Sequence, residues 1–230
     1  MGGGPVKIVL TRESGLNGAL RTFTPPSAIV HEVPLTRTMY RALADVEAEL
    51  ESSEYFRVFR SLVVTSARSG DYVESAMRAL RKGAAVFSVG RATTRLLVSH
   101  DIVVTGESES SALDLAAFVR RGPVLQLGAV AVRDELSHAL QERGLVVQHV
   151  ACYETVAMEL TSQQRETLAN ADVVFIGAPS AWEVAKDYVS PSAWVVVPGS
   201  TTGDAVRASH DQVLEGWEPA IRDVLATLEV

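Results

Sequence analysis

Val89-Gly90-Arg91-Ala92-Thr93-Thr94 ends an apolar, strand-like run and opens a helical pattern. Val197-Pro198-Gly199-Ser200-Thr201-Thr202 does the same later in the chain, with the Thr pairs 108 positions apart, from Thr93 to Thr201. Three further features recur in the same order, each 110 positions on. Val63-Val64 returns as Val173-Val174, Ser99-His100-Asp101 as Ser209-His210-Asp211, and Gly106 as Gly216. A period this long is not that of a solenoid repeat. It fits two similar domains of about 110 residues, inside the usual domain range.

The segments around these matches alternate between strand and helix character. Strands are expected at Val6–Leu10, Leu62–Thr65, Ala84–Val89, Ile102–Val104, Val124–Leu127, Leu145–Val150, Val173–Ile176, Trp194–Val197 and Gln212–Leu214. Several are apolar throughout, as parallel strands covered on both faces are. Helical patterns lie at Met39–Glu51, Tyr72–Leu80, Ala112–Val119, Arg133–Arg143, Ala181–Tyr188 and Pro219–Leu228. The fold class is α/β, with two similar parallel-sheet domains. No long Gly/Ser linker separates the halves. His31–Thr36, with Pro34, and Ala151–Val156 are the stretches suited to crossing between domains. If the first strand–helix unit packs with the C-terminal repeat, the chain crosses twice. The expected domains are then 1–33 plus 157–230 and 37–151, with linkers at about 33–37 and 151–157 lying as a two-stranded β hinge.

Of the 230 residues, 47% are hydrophobic and 21% charged, which excludes disorder and provides for a core. No charged-then-apolar leader opens the chain, and no apolar run approaches the ~18 residues of a membrane span, so a cytoplasmic location without membrane association is expected. The single cysteine, Cys152, cannot form an internal disulfide, and one Cys with five His argues against a structural zinc site. The net charge of −7 argues against non-specific nucleic-acid binding. A small anion held locally stays compatible with it. No heptad run demands a partner, and a monomer is expected.

Parallel α/β sheets bind ligands at the carboxyl ends of their strands. Small polar residues follow the strands here repeatedly: Thr11-Arg12, Thr65-Ser66 with Arg68, Gly90–Thr94, Gly128, Pro179-Ser180 and Gly199–Thr202. Each such turn exposes helix N-terminal N–H groups, which attract carboxylate or phosphate. Arg12, Arg68, Arg91 and Arg133 can add bidentate contacts. Taken singly, a Ser or Thr in such a turn is usually a plain N-cap and an Arg a solvated surface residue, and it is the number and duplication of these turns that favour a ligand site. The two Ser-His-Asp triplets are contiguous and are no catalytic triad. They are expected to start strands, with His100 and His210 as surface or capping residues. Cys152 reads as a small buried hydrophobe. Tyr153, at the second crossing, has two readings: amphipathic filler, or a hydroxyl donor facing an inter-domain cleft.

These motifs, in this order, resemble uroporphyrinogen-III synthases. The carrying residues are Thr11-Arg12; Val63-Val64-Thr65-Ser66; Val89-Gly90-Arg91-Ala92-Thr93; Leu127-Gly128 followed by Arg133-Asp134-Glu135-Leu136 and Gly144; Cys152-Tyr153-Glu154-Thr155-Val156; Val174-Phe175 with Ala178-Pro179-Ser180-Ala181; and Gly199-Ser200-Thr201-Thr202. The chain departs from the family pattern in having Glu13 after Arg12, Leu127 before Gly128, and Ile176-Gly177 before Ala178-Pro179-Ser180.

The resemblance implies two flavodoxin-like α/β domains joined by a two-stranded linker. It implies a cyclising hydro-lyase that converts hydroxymethylbilane, a linear tetrapyrrole, to uroporphyrinogen III with inversion of ring D and release of water, without metal or organic cofactor. It further implies Tyr153 as the catalytic residue. Thr11, Arg12, Thr65, Ser66, Arg68, Gly90, Arg91, Thr93, Gly128, Arg133, Thr155, Pro179, Ser180, Gly199, Ser200, Thr201 and Thr202 are the expected substrate-binding positions. A non-catalytic two-domain binding or regulatory protein for a small anion shares the composition, the repeat and the turns. A two-domain sugar-nucleotide transferase is disfavoured by chain length and by the lack of a phosphate loop.

Overall fold

The computed structural model describes residues 4–108, 112–131, 135–216 and 223. In chain order the strands are β1 (Lys7–Leu10), β2 (Ile29–Glu32), β3 (Thr36–Tyr40), β4 (Phe59–Val64), β5 (Leu80–Val89), β6 (Gly106–Ser108), β7 (Val124–Ala129), β8 (Val147–Ala157), β9 (Val173–Phe175), β10 (Trp194–Val197) and β11 (Val213–Glu215). The helices are α1 (Gly18–Arg21), α2 (Leu43–Ser52), α3 (Val73–Ala79), α4 (Arg91–Ser99), α5 (Ala112–Leu115), α6 (Glu135–Glu142), α7 (Ser162–Ala169), α8 (Pro179–Ala185) and α9 (Ser200–Arg207), with a 3-10 turn at Ala67–Tyr72. Of the expected helix at Pro219–Leu228 only Asp223 is among the described residues, and it is helical. No helix among the described residues is long and apolar enough to cross a membrane.

The chain divides into a discontinuous unit, Met1–Thr38 with Val156–Val230, and a continuous unit, Met39–Thr155. The discontinuous unit holds a sheet in the order β11-β10-β9-β1-β2, with parallel pairs throughout. The other sheet runs β3-β8-β7-β4-β5-β6, and β8 through β6 are parallel. Both have a central strand (β9 or β4) followed outward by two later strands on one side. Two more parallel strands come next on the other side, and in the second sheet β3 is added beyond them. In the first sheet this parallel pair is β1 and β2, the first two strands of the chain, and in the second it is β7 and β8, which follow β6. The repeat seen in the sequence is thus one flavodoxin-type strand order entered at two different points.

Alternation along each central strand shows why these runs are apolar throughout. On β4, Leu62 and Val64 pack into one core cluster and Val63 into another. Val173 and Phe175 of β9 face one cluster, while Val174 and the following Ile176 face its counterpart. A strand buried on both faces has no polar side to show.

Three local expectations change. The helix expected from Met39 begins at Leu43, because Met39 and Tyr40 belong to β3. The stretch Thr36-Arg37-Thr38-Met39-Tyr40 lies beside β8, with Met158 N–H donating to Leu35 O and Arg41 N–H to Cys152 O. Partner numbers fall as residue numbers rise, the antiparallel sense. Ile102–Val104 is a loop, and the strand comes later, at Gly106–Ser108. Asp101 takes a left-handed φ of 58°, Ile102 N–H closes α4 onto Leu97 O, and Val103 stands 83% exposed. The Ser-His-Asp triplets therefore follow helices and do not open strands. His100 caps α4, but His210 is buried, edge-on to Trp182 with ring centroids 5.6 Å apart and with Nε2 2.8 Å from Ala193 O.

Helix α7, which strand–helix alternation alone does not reveal, has a full capping box. Thr161 Oγ1 accepts from Gln164 N–H at 3.2 Å, and Gln164 Oε1 accepts from Thr161 N–H at 2.9 Å.

Candidate functional site

In the continuous unit the singled-out residues lie at the carboxyl ends of β4, β5, β7 and β8. After β4, Thr65 donates its hydroxyl to Leu127 O at 3.0 Å, tying the β4 turn to β7. Ser66 caps the 3-10 turn by accepting from Arg68 N–H at 3.2 Å. After β5, Gly90 holds a φ of 78°, a conformation that costs glycine little, and lets the chain turn directly into α4. Its N–H donates to Ser108 O on β6 at 2.7 Å. Arg91 is exposed in the first turn of α4, and Thr93, two residues on, is buried. Gly128 is buried on β7. Arg133 lies outside the described residues.

Tyr153 is placed by a break in the β7–β8 register. Gly128 pairs with Ala151, but the next residue, Ala129, pairs with Tyr153, so Cys152 is the extra residue of a bulge. Strict alternation would put Cys152 and Tyr153 on opposite faces. The bulge brings both into the same core cluster. Tyr153 is 5% exposed, and its ring lies 6.3 Å from that of Tyr40 at 50°. The Arg68 guanidinium carbon stands 5.8 Å from the Tyr153 ring centroid, within cation–π range. In the same unit, Arg41 Nη1 donates to Ala151 O at 2.9 Å and pairs with Glu49 at 2.6 Å, while Tyr72 donates its hydroxyl to Arg41 O at 2.6 Å. Arg41 and Tyr72 carry no motif signal, since each depends on chain-distant contacts. Burial pushes the Cys152 thiol up to about 11, so it stays protonated near neutral pH and behaves as an apolar side chain. Thr155, the last residue of this unit, is half-buried on β8.

In the discontinuous unit the corresponding positions follow β1, β9 and β10. Thr11 is buried and donates its hydroxyl to Phe175 O, joining the ends of β1 and β9. Arg12 is exposed. Glu13, a departure from the family pattern, has a structural role. It accepts from Thr38 N–H at 3.1 Å and from Thr38 Oγ1 at 2.8 Å. Both bonds fix the backbone where β3 leaves this unit. Pro179 opens α8, where its missing N–H costs nothing, and Ser180 is exposed beside it. Gly199 is the N-cap of α9, with Ser200 and Thr201 exposed and Thr202 buried.

The two helix starts correct the alignment of the Thr pairs. Thr93 N–H donates to Gly90 O at 2.9 Å, and Thr202 N–H to Gly199 O at 3.2 Å. Thr93 therefore corresponds to Thr202, and Thr201 is the exposed residue before it. Thr202→Ala is expected to cost about 1 kcal/mol of stability, the common effect of altering a buried side chain. Thr201→Ala is expected to leave the melting temperature unchanged. Thermal unfolding of both variants separates the two roles.

A family model of uroporphyrinogen-III synthase HemD matches residues 21–219, most of the chain. Two solved structures share the fold over nearly the full length of both partners. A mutant uroporphyrinogen III synthase from the extremely thermophilic bacterium Thermus thermophilus is 14% identical, covers 97% of each chain and gives a TM-score of 0.66. The uroporphyrinogen-III synthetase from Helicobacter pylori is 15% identical, covers 97% of this chain and 99% of its own, and gives 0.62. No curated protein is similar in sequence at a significant level. With carboxyl-end turns built alike in two flavodoxin-type units and the family model spanning both, the chain belongs to the uroporphyrinogen-III synthase HemD family.

Proposed function

We propose that this chain cyclises hydroxymethylbilane to uroporphyrinogen III, as a cytoplasmic monomer that binds neither nucleic acid nor membrane. The observation that carries this reading is the family match across 21–219. The substrate is a polycarboxylate, whereas the protein carries a net −7, so overall charge opposes the encounter. Attraction must come from oriented donors at short range. In the continuous unit these are the backbone N–H groups opening α4, with Arg68 and Arg91. In the discontinuous unit they are Arg12 and the start of α9, with Ser200 and Thr201.

The chemistry is mostly a matter of positioning. The linear substrate closes spontaneously to the type I isomer, and the enzyme must hold the terminal ring for attack at its substituted carbon instead. Fixing reactants in near-attack geometry is worth roughly 7–11 kcal/mol of barrier. Tyr153 is the proposed proton donor to the departing hydroxyl, which leaves as water.

The test is direct: supply hydroxymethylbilane, oxidise the products and resolve the isomers. The expected result is a type III fraction well above that of spontaneous closure. A product mixture identical to the enzyme-free control would overturn the reading and leave a non-catalytic anion-binding protein.

A further inference from the structure

At the opposite end of the continuous unit's sheet, the amino ends of β4, β5 and β7 gather cations. Arg60, Arg81, Lys82 and Arg121 line a cavity of about 280 Å³ with Gly83. Among the described residues, none of these four side chains has an acidic partner. Such a cluster in a chain of net −7 is self-repelling unless an anion offsets it.

The backbone is shaped to create this cluster. Phe59 of β4 pairs with Leu80 of β5, and two residues later Ser61 pairs with Ala85. One residue on β4, Arg60, is therefore faced by four on β5, Arg81 to Ala84. This excursion breaks the ladder and brings Arg81 and Lys82 out beside Arg60. Gly83 turns it with a φ of 78°, which glycine alone adopts freely. The third strand is fixed to the same point, since Arg60 N–H donates to Pro123 O at 2.9 Å and Ser61 Oγ to Arg121 O at 2.7 Å. The cations thus stand on anchored backbone.

Arg121 also lines a second cavity, of about 330 Å³, with Ala85, Phe87, Thr105, Phe118 and Arg120. Phe118 is 57% exposed there, an aromatic face open to a flat partner. A cationic and an apolar cavity meeting at one arginine match a ligand with both characters. Their sizes suit a small molecule. The six residues of β4 put this place about 20 Å from the Thr65-Ser66 turn.

We propose that this end of the sheet is a second small-molecule site, for a multivalent oxyanion carried on a flat apolar ring. The arginines grip phosphate or carboxylate oxygens in bidentate fashion, Lys82 adds a point charge, and the ring lies against Phe118. The proposal is independent of the activity proposed above, and its test needs no turnover.

Calorimetric titration of the full chain decides it, with ADP as the phosphate probe, benzene-1,3,5-tricarboxylate as the carboxylate probe, and pyrophosphate and adenosine as the separated parts. Saturable one-site binding of ADP or of the tricarboxylate is expected, falling as salt rises. Which of the two binds tighter identifies the oxyanion. Arg121→Ala should weaken the better probe about tenfold, the scale of one lost charge-assisted contact. Phe118→Ala should weaken ADP severalfold and leave pyrophosphate unchanged. Arg165→Ala, in the other unit, should change nothing. Equal binding by parent and Arg121→Ala, or no saturable binding of either ring-bearing probe, overturns the proposal. Binding of an oligoglutamate peptide more tightly than any ring-bearing probe also overturns it, assigning the patch to an acidic protein surface.

Discussion

Tyr153→Phe is expected to fold as the parent does and to turn hydroxymethylbilane over roughly 100-fold more slowly, the low end of what a positioned proton donor contributes. The phenyl ring keeps the contacts with Tyr40 and with the Arg68 guanidinium, because both are made to the ring and not to the hydroxyl. The loss should therefore appear in kcat more than in KM. Spontaneous closure continues at its own rate, so the product mixture should move toward the type I isomer as catalysis weakens. Single-turnover kinetics with isomer analysis measures both effects. Parent-like kcat with a parent-like isomer ratio would remove the hydroxyl from the mechanism and leave Tyr153 as a packing residue.

The largest expected loss of stability lies in the other unit. Trp182 on α8 is 1% exposed, stacks edge-on against His210 and donates its indole N–H to Ser209 Oγ at 3.1 Å. Trp182→Ala leaves a cavity against Val174, Ile176 and Val206 and is expected to cost about 3–5 kcal/mol. Trp182→Phe keeps most of the volume and should cost distinctly less. Denaturation followed by far-UV circular dichroism is the appropriate measurement, since the substitution removes a fluorophore. Two units need not unfold together. If they unfold separately, only the transition of the discontinuous unit should shift. A cost below about 1 kcal/mol for Trp182→Ala would contradict the burial and packing described for it.

The parts of the fold legible in the sequence are those in which one physical rule dominates. Runs such as Leu62-Val63-Val64 and Val173-Val174-Phe175 are apolar because both faces are covered, and such strands announce themselves. Edge elements do not. Ile29-Val30-His31-Glu32 has one neighbouring strand and mostly exposed residues, so neither continuous apolarity nor clean alternation marks it. The Met39-Tyr40 pair fits a helical pattern, and only its place beside β8 makes it part of a strand. Tyr153 is identifiable by its motif, but the bulge that re-aims it is not, because a register shift exists only between two strands. Glu13 stands out as a departure, and only its contact with Thr38 gives it a role. His210 reads as a surface residue because the ring that covers it belongs to Trp182, one helix earlier. The Arg60–Arg81–Lys82–Arg121 cluster is invisible for the same reason: three strand starts contribute to it.

The position of β1 between β2 and β9 has a consequence for how the protein is made. Lys7 and Asp172, joined by a hydrogen bond in the finished unit, are 165 residues apart in the chain. A ribosome releases β1 and β2 first, and β9, the other partner of β1, only after the whole of Met39–Thr155. Until then β1 has an open edge, a ready template for wrong pairing. The intervening segment is a complete unit in which β4 to β8 pair over short stretches of chain, and once it is folded it shortens the span that chain closure must bridge. Synthesis thus makes the inner unit available before the outer sheet can be completed, an asymmetry that the similar strand orders of the two finished sheets do not reveal.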